Sequence, residues 1–327
     1  MSWGTVLPED LPLEGLHTWL TAIQALGWSD VWAGEVAGRD AFAQLSACAA
    51  MSQDLGLGAI VATTTRGPGL LAMGISSLAA LAPGRVRVAL GSSSPQVLSG
   101  WNDRPADLPY TRLQAVLAFL QEALPGKRIS RDFGPFSIDA FRLGSPPENQ
   151  PRLLIAGLGP RALELAGRSA DGTLLNWISI GDVAGFRARL PAPHWLGSLV
   201  YYAPDETSRE RARRLLVAYA NVPAYAEHHR RLGRGAALEP VWAAWQAGDR
   251  RAALAAVPDS LLDELVVSGT PEQCRRHIQG YLDAGLDGVV VHVLTPGPEN
   301  RDALQRLGHV DRVDRVDGVD RVDRVGS

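Results

Sequence analysis

Residues 151–172 read PRLLIAGLGPRALELAGRSADG, and this stretch decides the fold because it contains a complete strand–turn–helix unit. Four apolar residues at 153–156 predict a buried strand, and a glycine-rich turn then leads into a helix that begins at Pro160. Glycines let the backbone approach a ligand closely, and the free amides at a helix start attract anions. The turn therefore predicts either a phosphate site or merely a tight connection.

The turn also fits a loose form of the dinucleotide-binding pattern GxGxxA at residues 157–162. In a dinucleotide fold, an acidic residue ending the next strand would hold the ribose. Here that strand ends at Asn176 and Trp177, which argues against a nicotinamide site. Anion binding does not depend on that acidic residue, so the turn formed by Gly157, Leu158, Gly159, Pro160 and Arg161 still predicts a phosphate site, with a merely tight connection as the alternative.

Outward from this unit, strand-like and helix-like segments alternate along the chain. Eight short apolar runs are each followed by a helical pattern, which favours a (β/α)8 TIM barrel over a doubly wound sheet. Two additions interrupt the alternation. Residues 126–150 have the turn residues of a small hairpin after strand four, and Ser208–Leu254 predicts extra helices between strands seven and eight.

Composition limits the partners. The net charge of -3 gives no reason to expect nucleic acid or an anionic membrane, and no apolar run is long enough to span a bilayer. The two cysteines, Cys48 and Cys274, have no metal-binding spacing and are expected to be reduced thiols. Without a secretion signal, we expect a cytoplasmic protein with one domain at 1–307 and a disordered Val-Asp-Arg repeat at 308–327.

Three groups of segments together resemble the bacterial luciferase-like superfamily, and most closely its branch that uses the deazaflavin coenzyme F420. They are GWSDVWAGE with the strands and helices up to VALG, PRLLIAGLGPRALELAGRSADGTLLNW, and GTPEQCRRHIQGYLDAGLDGVVVHV. The resemblance implies a TIM barrel with a flavin or deazaflavin ring across its C-terminal mouth. It also implies that the coenzyme phosphate binds at Gly157–Arg161, and it favours a homodimer.

The resemblance further implies a non-proline cis peptide at Ala59–Ile60 that braces the coenzyme ring, where the alternative is an ordinary buried strand. Other coenzyme contacts are expected at the ends of strands three and four. Ser92 has a second interpretation, as part of a serine-rich turn that caps the next helix. The expected coenzyme-binding residues outside the glycine turn are Ala59, Ile60, Val61, Thr63, Gly91 and Ser92.

Glu35 and Asn176 end the second and sixth strands and are the predicted catalytic residues, with a solvated loop carboxylate as the alternative for Glu35. Arg66 matches an arginine of the family pattern, although it could instead only fix its loop. Trp177 suits a pocket wall or, alternatively, core packing. The predicted substrate pocket consists of Trp32, Arg66, Trp101 and Trp177.

No metal site is expected, because strand-end histidines and aspartates are too few for a metal hydrolase. The sequence and the resemblance together predict an F420-dependent oxidoreductase that transfers a hydride between the deazaflavin and a small organic substrate. Two alternatives stay open: an FMN-dependent luciferase-like monooxygenase, and a barrel that binds a flavin or another ligand without catalysis.

Overall fold

The computed structural model describes residues 1–60, 65–297 and 299–310. Most strands are short runs of apolar residues, as expected for a parallel sheet that is covered on both faces. The strands of the described part are β1 (Ser2–Val6), β2 (Asp30–Gly34), β3 (Gly56–Ile60), β4 (Val86–Leu90), β5 (Ile129–Asp132), β6 (Ser137–Phe141), β7 (Arg152–Ala156), β8 (Gly172–Leu175), β9 (Trp195–Tyr202), β10 (Val266–Val267) and β11 (Gly288–Val293).

Eight of these strands close into a parallel barrel. Around the barrel they follow the order β1, β2, β3, β4, β7, β8, β9, β11, and pairing of β11 with β1 completes the ring. β10 is a two-residue strand that pairs with the last two residues of β9, Tyr201 and Tyr202. It was not predicted from the sequence. The predicted TIM barrel is confirmed.

Helices cover the outside of the barrel. Asp40 caps one of them, because its carboxylate accepts a hydrogen bond from the amide of Ala43 at 2.8 Å. The helices of the described part are α1 (Leu13–Ala25), α2 (Ala41–Met51), α3 (Pro68–Leu81), α4 (Pro109–Ala123), α5 (Pro160–Ser169), α6 (Ile180–Arg187), α7 (Glu206–Ala220), α8 (Pro223–Arg231), α9 (Gly235–Gln246), α10 (Arg250–Ala255), α11 (Asp259–Leu265), α12 (Pro271–Asp283) and α13 (Glu299–Leu307).

Both predicted additions are present. β5 and β6 form an antiparallel hairpin before β7, and its aromatic residues pack around Phe119 of α4. Helices α7–α11 build a second apolar core over the ends of β8 and β9. A π-helical segment at Gln96–Trp101 was not predicted, because the turn residues around it indicate only a loop.

The barrel has two further apolar layers. The larger layer lies between the strands and the surrounding helices, and the smaller one fills the barrel interior with Val6, Trp32, Ile60, Ala89, Leu154, Leu174 and Val290. Trp32 needs a glycine on the neighbouring strand, since a Cβ at Gly58 would overlap its indole ring. The interior is therefore a packed core, and only its C-terminal end is left to bind a ligand.

At its C-terminal end the described chain returns to α1. The amide of Val310 donates to the carbonyl of Leu26 at 2.8 Å, and Val310 is buried. Gly27 has φ of +83°, and a Cβ there would overlap the Val310 carbonyl, so this contact requires glycine. Residues 311–327, which contain most of the predicted tail, lie outside the described residues. Within the described part, no helix combines the length and the apolar character needed to cross a membrane.

Candidate active site at the barrel mouth

Strand alternation determines which residues face the barrel mouth. Because successive side chains of a strand point to opposite faces, the residues two places after the interior layer form the next layer towards the C-terminal end. Val290 belongs to the interior, whereas Val289, Val291 and Val293 belong to the outer layer. The resulting mouth layer consists of Gly34, Gly91, Ala156, Asn176, Tyr201 and His292, and Ile60 of the interior layer borders it in register with Gly34.

One half of the mouth is small and apolar. Gly34, Ile60, Gly91 and Ala156 come from four adjacent strands, β2, β3, β4 and β7. Among the described residues, a Cβ added at Gly34 would meet only the carbonyl oxygen of Ile60, at 4.0 Å. At about 4.8 Å between strands, these four strands span about 14 Å of the barrel wall, a width comparable to that of a planar ring system.

The other half is polar and aromatic. Tyr201 stacks on Trp177 with ring centroids 4.1 Å apart, and its ring lies 5.5 Å from that of His292. Asn176 donates from Nδ2 to the hydroxyl of Tyr225 at 3.1 Å, whereas its buried Oδ1 has no hydrogen-bond partner among the described residues. Burial raises the pKa of Tyr201 well above its usual value, so this hydroxyl stays protonated, and it is hydrogen-bonded with Tyr219 and Asn176.

The glycine turn borders the small half of the mouth. A Cβ at Gly157 would clash with that of Ala162, so glycine is needed here for α5 to approach the strand end. The amides of Leu158 and Gly159 donate no hydrogen bond to any described residue. Together with the unpaired amides of the first turn of α5, they form an anion-binding site with room for a phosphate.

Two arginines flank the turn. Nη1 of Arg231, on α8, lies 3.7 Å from the position that a Cβ of Gly159 would occupy, and nothing else lies within 4 Å of that position. On the other side, Arg161 packs over the ring of Tyr110 at 4.2 Å. Arg161 was predicted from the sequence, but Arg231 was missed because no local pattern links α8 to the turn. The free amides and these cations fit a phosphate-bearing coenzyme.

Glu35 is held in an ion pair rather than projecting freely into the mouth. Arg66 donates from Nε to Oε2 of Glu35 at 3.3 Å and from Nη2 to both Oε1 of Glu35 and Oδ2 of Asp40. The hydrogen bond to Glu35 raises the pKa of Arg66. Burial acts to raise the pKa of Asp40, but the Ala43 amide and Arg66 outweigh it and lower that pKa. This geometry fits the alternative role of Arg66, that of fixing the loops after β2 and β3.

The predicted tryptophans do not converge on one pocket. Trp32 is buried in the barrel interior, below the mouth layer, where it stacks on Trp195 with centroids 6.2 Å apart. Trp177 is buried against Tyr201, in agreement with the packing alternative. Trp101 is 52% exposed at the end of the π-helical segment. Their predicted contacts with substrate stay predictions.

Three of the remaining predicted coenzyme residues lie in different settings. The side chain of Ala59 belongs to the outer layer and points away from the mouth, although Ile60 points into it. Ser92 is partly exposed just beyond β4. Val61 and Thr63 lie outside the described residues.

The expected cis peptide at Ala59–Ile60 is wrong. The cis bond found among the described residues joins Ala192 to Pro193. Ala59 and Ile60 instead continue β3 in regular parallel pairing with Ala33 and Gly34. Regular pairing of β3 with β2 therefore continues through Ile60, and the bond between Ala59 and Ile60 is trans.

His292 and Tyr201 were not predicted as site residues. His292 lies at the end of β11, and its sequence context indicates only a core histidine. The alternation of Val290 and His292 contains the signal that would have placed it in the mouth. Within the described residues, no cluster of three or more histidine, cysteine or acidic side chains is arranged to hold a metal ion.

Two enzymes are similar to this chain in sequence, one of them over nearly its whole length. The 5,10-methylenetetrahydromethanopterin reductase of Methanolobus tindarius is 26% identical over 92% of this chain and 96% of its own. A shorter match, 33% identical over 39% of each chain, is to an F420-dependent glucose-6-phosphate dehydrogenase of Beutenbergia cavernae.

Solved structures share the fold. An F420-dependent secondary alcohol dehydrogenase in complex with an F420–acetone adduct superposes with a TM-score of 0.75 at 15% identity, covering 94% of this chain and 96% of the other. The FMN complex of a type II Baeyer–Villiger monooxygenase from Pseudomonas putida has a TM-score of 0.64, also at 15% identity, over 94% and 97%. The model of the luciferase-like monooxygenase family matches residues 3–288. The chain therefore belongs to the luciferase-like monooxygenase family.

Proposed function

We propose that the protein is an oxidoreductase that uses coenzyme F420 to transfer a hydride to or from a small organic substrate. The observation that carries this proposal is the glycine turn at 157–159, whose amides have no partner among the described residues, flanked by Arg161 and Arg231 and next to the small residues of the mouth. Relatives and structural neighbours whose names include F420 support the choice of coenzyme.

When bound, the deazaflavin would supply hydride chemistry at its ring carbon. The protein's contribution is to hold and orient the ligand. The turn amides and the two arginines would grip the phosphate, whereas Gly34, Ile60, Gly91 and Ala156 would leave space for the ring. Asn176, whose Oδ1 has no partner among the described residues, would accept a hydrogen bond from the substrate or coenzyme.

Of the two predicted catalytic residues, we keep Asn176 at the reacting end of the mouth. We assign Glu35 an anchoring role instead, because its carboxylate is bound by Arg66.

Coenzyme binding tests this function directly. We expect the purified protein to bind F420 with micromolar affinity, measured by fluorescence titration, and to show no oxygen-dependent turnover with reduced FMN. The opposite pattern, with tight FMN binding and oxygen consumption, would instead identify the FMN-dependent monooxygenase that the Pseudomonas structure suggests. Coenzyme binding with no turnover across a panel of alcohols, imines and unsaturated compounds would identify a non-catalytic barrel.

We also propose a homodimer formed through α3. This helix contains no charged residue and exposes Leu70, Met73 and Leu81, which are 56%, 54% and 50% exposed and lie on one face. An uncharged apolar stripe of this kind is self-complementary and suits a twofold interface between two copies.

Light scattering after gel filtration tests the dimer. We expect a dimeric mass for the wild type and a monomeric mass for Met73→Glu. Leu13→Glu, which places the same charge on an exposed leucine of α1, is the matched control and should stay dimeric. A monomeric wild type would rule the interface out. We further propose a cytoplasmic location, which suits the two free, buried cysteines.

A further inference from the structure

Helix α8 lies over the ends of the neighbouring strands β7 and β8 and contacts both with one side. Its residues Tyr225, His228 and Arg231 are three positions apart, so they follow one another along that side. Asn176, at the end of β8, donates from Nδ2 to the hydroxyl of Tyr225 at 3.1 Å, and Arg231 reaches Gly159. One short helix therefore contacts both the polar half of the mouth and the glycine turn.

The middle contact of α8 is made to a strained part of the backbone. Trp177 follows β8 and has φ of +53°, a left-handed conformation that a bulky side chain rarely adopts. Its carbonyl oxygen lies 3.3 Å from Nε2 of His228. A carbonyl oxygen can only accept a hydrogen bond, so Nε2 of His228 is the donor. This bond helps to hold Trp177 in its unusual conformation.

His228 makes this contact as a neutral ring. Its side chain is buried, and burial lowers its pKa to about 4. A neutral imidazole has a single N–H, so the bond to the carbonyl of Trp177 uses the one donor that the ring has. The ring also lies against Phe186 of α6, with centroids 6.1 Å apart. His228 therefore attaches α8 to the end of β8 by a hydrogen bond and by packing.

At the phosphate end of α8, the guanidinium of Arg231 is oriented by its own helix. Its Nε donates to the carboxylate of Glu227, one turn earlier, at 3.2 Å, and Nη1 faces Gly159. Among the described residues, neither Tyr225 nor His228 is hydrogen-bonded to the turn at 157–159. The place of the cation at the turn therefore depends on where α8 is held.

We infer that Tyr225 and His228 are positioning residues that fix α8, and that α8 couples the phosphate end of the mouth to Asn176 at the reacting end. This inference rests on the proposed F420-dependent function. The two side chains hold Arg231 at the turn before the coenzyme arrives, so less order has to be imposed when the phosphate binds. Because coupling between two sites is reciprocal, a phosphate bound at Arg231 in turn holds Tyr225 against the amide of Asn176.

A double-mutant cycle on F420 affinity tests the coupling. Tyr225→Phe should weaken F420 binding about fivefold and Arg231→Gln about tenfold. The double variant should bind no more weakly than Arg231→Gln alone, because Tyr225 acts on the phosphate only through Arg231. Fluorescence titration measures affinity, and circular dichroism checks that each variant folds. Arg230→Gln, which removes the next charge of α8, over the ring of Trp242, is the matched control and should bind normally.

Two variants of His228 separate its hydrogen bond from its packing. His228→Gln places an amide N–H close to the position of Nε2 and should keep F420 affinity within about twofold of the wild type. His228→Leu, which is of similar size but has no donor, should lose about fivefold. Both variants remove the ring that lies against Phe186, so a purely structural role would affect them equally.

The outcomes separate this inference from the proposed function. If the wild type binds F420 and Tyr225→Phe binds it equally well, the positioning inference is overturned while the proposed function stands. The same conclusion follows if the losses of Tyr225→Phe and Arg231→Gln multiply to about 50-fold in the double variant. Equal affinities of the two His228 variants, or of the wild type and Arg231→Gln, would also overturn it. If the wild type does not bind F420, both are overturned.

Discussion

Arg231 of α8 and Gly159 of the glycine turn meet although they are far apart in the sequence: the guanidinium Nη1 lies 3.7 Å from the position that a Cβ of Gly159 would occupy. The contact brings a cation to amides that have no other partner among the described residues. Only the folding of α8 back over the barrel mouth produces it.

Gly159→Asp should reduce F420 affinity by about 100-fold. The new carboxylate would pair with Arg231 and repel the phosphate, removing one or two charge-assisted hydrogen bonds. Gly159 has φ of -82°, so other residues can adopt its backbone conformation, and thermal unfolding should not change. Fluorescence titration with F420 measures the loss. Gly159→Ala is the control and should bind F420 with almost normal affinity. An unchanged F420 affinity in Gly159→Asp would refute the phosphate assignment.

Arg231→Gln should weaken F420 binding by about tenfold, because one charge-assisted hydrogen bond to the phosphate is lost. Raising the salt concentration should weaken binding more in the wild type than in the variant. The matched control is Arg168→Gln, which alters an exposed arginine in the last turn of α5, at the opposite end of that helix from the glycine turn. Equal affinities of wild type and Arg231→Gln would place the phosphate elsewhere.

Gly34→Leu should abolish coenzyme binding without unfolding the protein. Among the described residues, only the Ile60 carbonyl oxygen lies within 4 Å of a Cβ at Gly34, so we expect the leucine side chain to occupy the place of the ring. Gly144→Leu, at a surface position with nothing within 4 Å, controls for the general effect of the substitution. Circular dichroism checks the fold and fluorescence titration checks binding. A Gly34→Leu variant that still binds F420 would show that the ring does not lie on the small half of the mouth.

Glu35→Gln should lower the free energy of unfolding by about 1 kcal/mol, since it weakens a half-buried ion pair with Arg66. A double-mutant cycle with Arg66→Gln isolates the coupling between the two side chains. Glu164→Gln, which breaks an exposed pair with Arg168, should have almost no effect. We expect kcat to fall less than tenfold, and a loss of about 100-fold or more would restore Glu35 as a catalytic residue.

The adjacent histidines His228 and His229 should make the protein sensitive to acid. Both are buried, and burial lowers their pKa values to about 4 and about 3. Because these pKa values lie below the value of 6.5 for an unfolded histidine, the unfolded chain binds more protons than the folded protein at any pH between the lowered values and 6.5. The contribution of these neutral histidines to the free energy of unfolding is complete above pH 6.5. It is lost as the pH falls, by about 1.4 kcal/mol per pH unit for each proton.

Urea unfolding between pH 7 and pH 4 measures this slope. His229→Leu should flatten it by up to one proton and cost little at pH 7, because neither ring nitrogen of His229 has a hydrogen-bond partner among the described residues. His17→Asn, at an exposed site, should leave the slope as it is. An unchanged slope in His229→Leu would mean that this histidine is not buried in its neutral form.

The order of the strands and helices could be predicted from the sequence because local patterns determine it. The apolar runs, the caps such as Asp40, and the prolines at helix starts such as Pro68 and Pro160 act over a few residues each. The same local logic identified the glycine turn and Arg161. It also predicted the hairpin and the extra helices, although not the π-helical segment at Gln96–Trp101.

The composition of the mouth depended on tertiary structure. Closing the barrel brings Gly34, Asn176 and His292 into one layer, and strand alternation turns Ala59 and Trp32 away from it. Pairing of Glu35 with Arg66 and the approach of Arg231 to Gly159 are contacts between separate elements. Local sequence determines which residues can form a strand or a turn, because backbone propensity is short-ranged. Which side chains share a site is decided only when the strands close, because distance through space then no longer follows distance along the chain.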